Sequence, residues 1–182
     1  MRCFALAAAL CVAPTLAVAD PHRCDPRRNA LVADLGLHVV NVGFDHSLGC
    51  DVSLQASAGL YVPWFVNLDL FGLGGGIQRA VGGGVVRVRA FFHPEGEGRV
   101  GFWVSPFLQG GVALAPRGDQ GLTGVAIGGG LSAGYTWALG ARWLLSLGGG
   151  AQVHAVLFDG DTDAPGFVGA APHVDINVDY LL

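Results

Sequence analysis

The stretch Asp51-Val52-Ser53-Leu54-Gln55-Ala56-Ser57-Ala58-Gly59-Leu60 decides the fold. Val52, Leu54, Ala56, Ala58 and Leu60 alternate with Asp51, Ser53, Gln55, Ser57 and Gly59, so every apolar side chain falls on one face if the backbone is extended. A helix would scatter both sets around its circumference. The segment therefore reads as a β-strand with one apolar and one polar face.

The same period-two pattern recurs from Asn29 onward, in segments bounded by glycine, proline or charge. The first segment opposes Leu31, Ala33, Leu35, Leu37 and Val39 to Val32, Asp34, Gly36 and His38. The stretch quoted above is the second, and the third is the short run Val66, Leu68 and Leu70 against Asn67 and Asp69. A fourth opposes Val86, Val88, Ala90 and Phe92 to Arg87, Arg89 and Phe91, and a fifth runs from about Val100 to Leu114. The sixth opposes Val125, Ile127, Leu131, Ala133, Tyr135 and Trp137 to Gly128, Gly130, Ser132, Gly134 and Thr136. The seventh opposes Trp143, Leu145, Leu147, Ala151 and Val153 to Ser146, Gly148, Gly150, Gln152 and His154. The eighth opposes Val174, Ile176, Val178, Tyr180 and Leu182 to His173, Asp175, Asn177 and Asp179. Links at Val62-Pro63, His93 to Gly98 and Leu139-Gly140 are short, and those at Gly74 to Gly84, Ala115 to Gly121 and Phe158 to Gly166 are longer. Short turns at one end and long loops at the other are a property of outer-membrane barrels. The Asp45 to Gly49 link is the exception, short on the long-loop side.

Composition narrows the class. Charged residues are 13% of the chain, about half the usual share of a soluble domain, while hydrophobic residues reach 52%. No stretch beyond the N-terminal segment holds the roughly 20 continuous apolar residues of a membrane helix. A net charge of −4 gives no basic footprint, so nucleic acid is not an expected partner. Residues Met1 to Ala19 have the form of a secretory signal: Arg2, an apolar run from Phe4 to Ala13, and Ala17-Val18-Ala19 as the small-x-small cleavage pattern. The expected organisation is a signal peptide over 1–19, a polar leader over 20–28 with two prolines and three arginines, and one β-barrel over 29–182. Cleavage would leave Cys24 and Cys50 in an oxidising compartment, where a disulfide is feasible. The strand order above puts these two cysteines at opposite ends of the fold, which favours unpaired thiols.

Alternation alone does not say which face is outside. An eight-stranded barrel is just wide enough to be filled by side chains or to hold one small ligand. The apolar set is too bulky for that interior, whereas the set of Gly, Ser, Asn, Gln and Asp suits a narrow lumen. As a water-facing surface the second set would be strange, since the chain has no lysine and 30 glycines. The apolar face is therefore assigned to lipid, where an open sheet edge is not tolerated and the sheet must close. Trp137, Trp143 and Tyr180 fall at strand ends on this face and are the expected interface residues. The fold class is thus all-β, a closed antiparallel up-and-down transmembrane barrel of eight strands.

The alternating strands and the ending Val174-x-Ile176-x-Val178-x-Tyr180-x-Leu182 resemble small bacterial outer-membrane β-barrels of the OmpA and OmpX type, over about Asn29 to Leu182. That resemblance implies insertion through the C-terminal strand by the barrel-insertion machinery, and contact with outer-membrane lipid and lipopolysaccharide. The family usually ends in phenylalanine, and this chain ends in Leu182.

Candidate chemistry is sparse. Asp34, Asp51, Asp69, Asp175 and Asp179 share the inner face with Arg87 and Arg89, and read as a structural charge network. Asp51 and Asp69, on the strands before the arginines, are the expected partners. His38, His154 and His173 come from strands that adjoin on closure and are weak metal candidates. His46-Ser47 is a poor nucleophile pair because neighbours on a strand point apart. Asp159 to Asp163 opens like a calcium loop, but Ala164 and Ala170 replace the required glycine and glutamate, leaving an acidic surface loop. No cofactor and no catalytic residue is expected. The function read from the sequence is a non-catalytic outer-membrane barrel with a structural or surface role; the alternatives are a narrow solute channel and a lipid A-modifying enzyme.

Overall fold

The computed structural model describes residues 29–37, 39–61, 82–95, 98–117, 120–158 and 167–182. Eight strands follow one another: β1 (Asn29–Gly36), β2 (Val39–Ser47), β3 (Val52–Tyr61), β4 (Gly82–Phe92), β5 (Gly101–Arg117), β6 (Gln120–Ala138), β7 (Trp143–Phe158) and β8 (Phe167–Leu181). Each pairs antiparallel with its neighbours in sequence, and β1 pairs with β8 to close the barrel. The closing register runs from Ala30↔Leu181 to Gly36↔Asp175. Asn29 and Leu181 thus lie at one rim, here called lower, with the turns at 48–51, 93–100 and 139–142. The β6–β7 turn is closed by Leu139 N–H donating to the Trp143 carbonyl at 2.8 Å, with Gly140 at φ +131°. A side chain would be strained at that angle.

The strand count agrees with the sequence reading, but the assignment of strands does not. The first expected strand is in fact two pieces: β1 stops at Gly36, and Val39 opens β2 as an inward residue, 1% exposed. A tight turn between them shifts the alternation by one residue, which moves every side chain to the other face. Asp45 to Gly49 is accordingly the end of β2 and a lower-rim turn, beside the other short turns. The expected strand at Val66 to Leu70 lies outside the described residues, and the barrel closes without it. Val62-Pro63, expected as a short link, lies outside the described residues, and Ala115 to Gly121, expected as a longer link, is taken up by β5 and β6 except for 118–119.

Face assignments from β3 to β8 hold. Leu54, Leu60, Val86, Val88, Leu108, Val125, Ile127, Leu131, Leu147 and Val153 point outward and are exposed, while Ser53, Gln55, Ser57, Arg87, Ser132 and Asn177 are buried. The interior is filled in tiers. Val39, Tyr61, Val85, Ala113 and Val156 form an apolar plug toward the upper rim, and Ala30, Leu144 and Leu181 a smaller one at the lower rim.

Glycines make room for large rings between the plugs. Gly134 and Gly148 face each other across β6 and β7, and a Cβ on either would overlap the Trp103 indole, which is fully buried. Gly130 does the same for Phe107. The lumenal glycines of β6 and β7 are therefore the negative of the aromatic side chains on β5. Gly148→Ala is expected to lower stability by about 1–3 kcal/mol in a denaturant titration. Adding Trp103→Leu should recover part of that loss; no recovery would mean that the ring does not occupy this space.

Candidate functional site

The polar interior has a centre and a lower annex. Arg87 and Arg89 stand on successive inward positions of β4 and reach across the lumen to the strands of the closing seam. Arg87 Nη1 lies 3.2 and 3.1 Å from the two carboxylate oxygens of Asp34 on β1. Its Nε and Nη2 donate to Gln109 Oε1 at 3.1 and 2.8 Å. Arg89 holds Asp175 on β8 in a two-pronged pair of 2.8 and 2.9 Å and donates also to Ser105 and Ser132. His173 Nε2 meets Asp175 Oδ1 at 2.7 Å, while Asn41 and Ser57 donate to Asp34. Both arginines and both aspartates are 0–1% exposed at the side chain, so two cations and two anions neutralise one another out of water.

Aromatic faces cover what the carboxylates leave open. The Arg87 guanidinium carbon is 4.9 Å from the Phe107 ring centre, and that of Arg89 is 4.6 Å from Phe91. Desolvated cation–π contacts of this kind contribute about 2 kcal/mol.

The expected partners of the arginines are thus corrected. Asp51 is exposed in the β2–β3 turn and makes no part of the network, and Asp69 lies outside the described residues. An arginine in a barrel this narrow spans the lumen, so its partner is set by who stands opposite and not by which strand precedes it. Asp34, Asp175, Arg87 and Arg89 do come together as charged lumenal residues.

Asp179 falls in the annex, a polar cavity of ≈10 Å³, about the room one water molecule needs. Asp45, Ser53, Gln55, His93, Arg99 and Asp179 are among its lining. Arg99 Nη2 is 2.6 Å from Asp45 Oδ1, and Ser53 donates to Asp45 Oδ2 at 2.9 Å. The sequence reading missed this second ion pair. Asp45 was findable, since Val40, Val42 and Phe44 alternate with Asn41, Gly43 and Asp45. Arg99 lies in the β4–β5 turn, where no period marks a facing.

His154 and His173 lie in different parts of the lumen. His173 belongs to the centre and packs at a tilt against Phe107, with ring centres 4.5 Å apart. His154 lines a separate cavity of ≈10 Å³ with Tyr61 and Gln109, and His38 lies outside the described residues. Among the described residues no three metal-ligating side chains come together. His46 and Ser47 point apart as expected: His46 is exposed and bonds Asn29 at 2.8 Å, whereas Ser47 turns inward and accepts from Arg99 at 2.9 Å. The acidic run Asp159 to Asp163 lies outside the described residues.

Cys50 is half-buried in the β2–β3 turn and is disulfide-bonded, which overturns the preference for unpaired thiols. The overlooked β2 is the cause. It carries the chain back to the rim where β1 begins.

On the outside, Trp143 is 50% exposed and packs against Tyr180 at 4.9 Å between ring centres; Trp137 packs against Tyr135 at 5.0 Å. Phe44, Phe92 and Phe102 are exposed at the lower ends of β2, β4 and β5, so aromatic side chains gather at one rim.

These features define a small, closed eight-stranded barrel whose lumen holds a neutralised charge network. The chain belongs to the family described as protein of unknown function (DUF3575), whose model matches residues 7–152. No curated protein and no solved structure matches it.

Two outcomes test this arrangement. Arg89→Met strands the buried Asp175 carboxylate and should cost about 3–5 kcal/mol in unfolding experiments, much of it recovered by adding Asp175→Asn. Near-equal stability of the single and double variants would argue against the pairing. The second concerns His93 in the β4–β5 turn, whose pKa is pushed from 6.5 down to about 4 by burial and then by the Arg99 charge, with Asp51 opposing. Its neutral form is the folded one, so its stabilisation is complete above about pH 6.5 and lost as pH falls toward 4, a difference of up to about 3 kcal/mol. His93→Gln should flatten the stability profile in that window relative to wild type.

Proposed function

We propose that the protein is an integral outer-membrane β-barrel of the OmpA and OmpX type, non-catalytic, with a structural or surface role. The observation that carries this reading is an apolar outer wall along the described strands, with aromatic rings at one rim, around an interior whose described cavities are of single-water size. On β6 the outward residues from Val125 to Trp137 rise about 30 Å at ~3.4 Å per residue and ~40° of tilt, matching a ~30 Å hydrocarbon core. A water-facing wall of this kind would be one large exposed apolar patch, which soluble proteins avoid. The lower rim, carrying the start of β1 and the end of β8, faces the periplasm in this reading, and the upper rim, with the 62–81 connection between β3 and β4, meets lipopolysaccharide. Residues 1–19 direct export and are cleaved off after Ala19, and β8 presents the strand that the insertion machinery takes up.

The packed interior weighs against a channel. The described cavities of the lumen are of single-water size, and the apolar plugs stand above and below the charges. A lipid A-modifying enzyme would need a serine and a histidine in reach of one another near a rim. His46 and Ser47, adjacent but on opposite faces, do not supply that.

Cell fractionation with heat-modifiable gel mobility tests location and closure together: the protein should be recovered with outer membranes and migrate faster unheated. Leu131→Arg, at mid-height on the outer wall, should impair insertion by about 2–4 kcal/mol, and Leu139→Arg, in the lower-rim turn, by about 0–1. Equal tolerance of both would reject a lipid-facing wall. Planar-bilayer conductance and mass spectrometry of lipid A test the two alternatives, and steady conductance or an altered lipid A would replace this reading.

A further inference from the structure

We infer that the disulfide partner of Cys50 is Cys24, and that this bond staples the closing seam of the barrel. Cys50 sits in the 48–51 turn between β2 and β3 and is disulfide-bonded. The chain has four cysteines, so its intramolecular partner is Cys3, Cys11 or Cys24. Asn29, the first residue of β1, pairs directly with His46 near the end of β2. The chain entering β1 and the chain leaving β2 therefore emerge side by side at the lower rim.

Cys24 precedes Asn29 by five positions, and Cys50 follows His46 by four. At ~3.3–3.6 Å per extended residue, both cysteines reach the ~4.4–6.8 Å Cα separation that a disulfide requires. Loop closure favours the shorter lead, and Cys3 and Cys11 stand much farther back. Both would also leave with the signal peptide, so this argument rests in part on the export reading above.

The consequence follows from what the ring encloses. A bond from Cys24 to Cys50 closes a loop around β1 and β2, the two shortest strands, with 8 and 9 residues. β1 must also find β8 to close the barrel, and it carries the Asp34 that neutralises Arg87. Cross-linking the hairpin restricts the unfolded chain where native strand pairing is least extensive. Formation removes two protons and two electrons from the thiols and passes the electrons to a disulfide-bearing oxidant, which becomes a dithiol through a mixed-disulfide step. Such an oxidant operates outside the reducing cytosol.

The test is non-reducing peptide mapping by mass spectrometry of the full chain isolated from cell envelopes after thiol blocking. A cross-linked peptide containing Cys24 and Cys50 is expected. A link from Cys50 to Cys3 or Cys11, or a blocked, free Cys50, overturns the proposal. The same spectra report the N-terminal peptide, so a chain that starts at Met1 with Cys24–Cys50 intact would uphold the pairing while removing the export reading. For the stapling role, Cys24→Ser, Cys50→Ser and the double variant should lower the denaturant midpoint by the same amount as reduction of the wild type. An unchanged midpoint would overturn that role, and the wild-type measurement under reduction stands even where a variant fails to insert.

Discussion

Two guanidinium groups side by side in a dry, narrow lumen can exist only if two carboxylates face them, and this constraint organises the molecule. Arg87 and Arg89 project from β4, and the carboxylates come from β1 and β8, which meet where the sheet closes. The network therefore bridges the wall opposite the seam to both strands of the seam. Barrel closure and charge neutralisation become one event. An open sheet would leave Arg87 without Asp34 or Arg89 without Asp175, with the cost of an unpaired buried charge.

Aromatic rings and apolar clusters flank those pairs. Phe91, Trp103 and Phe107 cover the guanidinium planes, and glycines on β6 and β7 provide the space the Trp103 and Phe107 rings fill. Apolar plugs close the lumen above and below. A polar layer is thus held between two apolar ones among the described residues. In the proposed lipid setting the polarity of the whole is inverted: apolar side chains face outward, and hydrogen bonding and charge supply the cohesion within.

The strand pattern was largely legible because period-two alternation is a local property. From β3 to β8, apart from the β3–β4 connection, each inward residue could be read from its neighbours alone, including Arg87, Arg89, Asp175 and Asn177. The reading failed where alternation changed phase. Between Gly36 and Val39 the chain reverses direction, linking two apolar runs, Leu35-Gly36-Leu37 and Val39-Val40, with no proline or asparagine to mark the change. Two strands then look like one, and that single error misplaced Asp45, Cys50 and the short turn at 48–51.

The sequence by itself determined the class of fold, the faces of most strands and which charged residues share the interior, since these depend on spacing along the chain. Only the tertiary structure decided the partners. Asp34 rather than Asp51 neutralises Arg87, Asp45 meets Arg99, and His154 stays apart from His173, because each of these depends on curvature and stagger around a closed cylinder. Residues distant in the chain become neighbours across the lumen there, and no local period encodes which will stand opposite which.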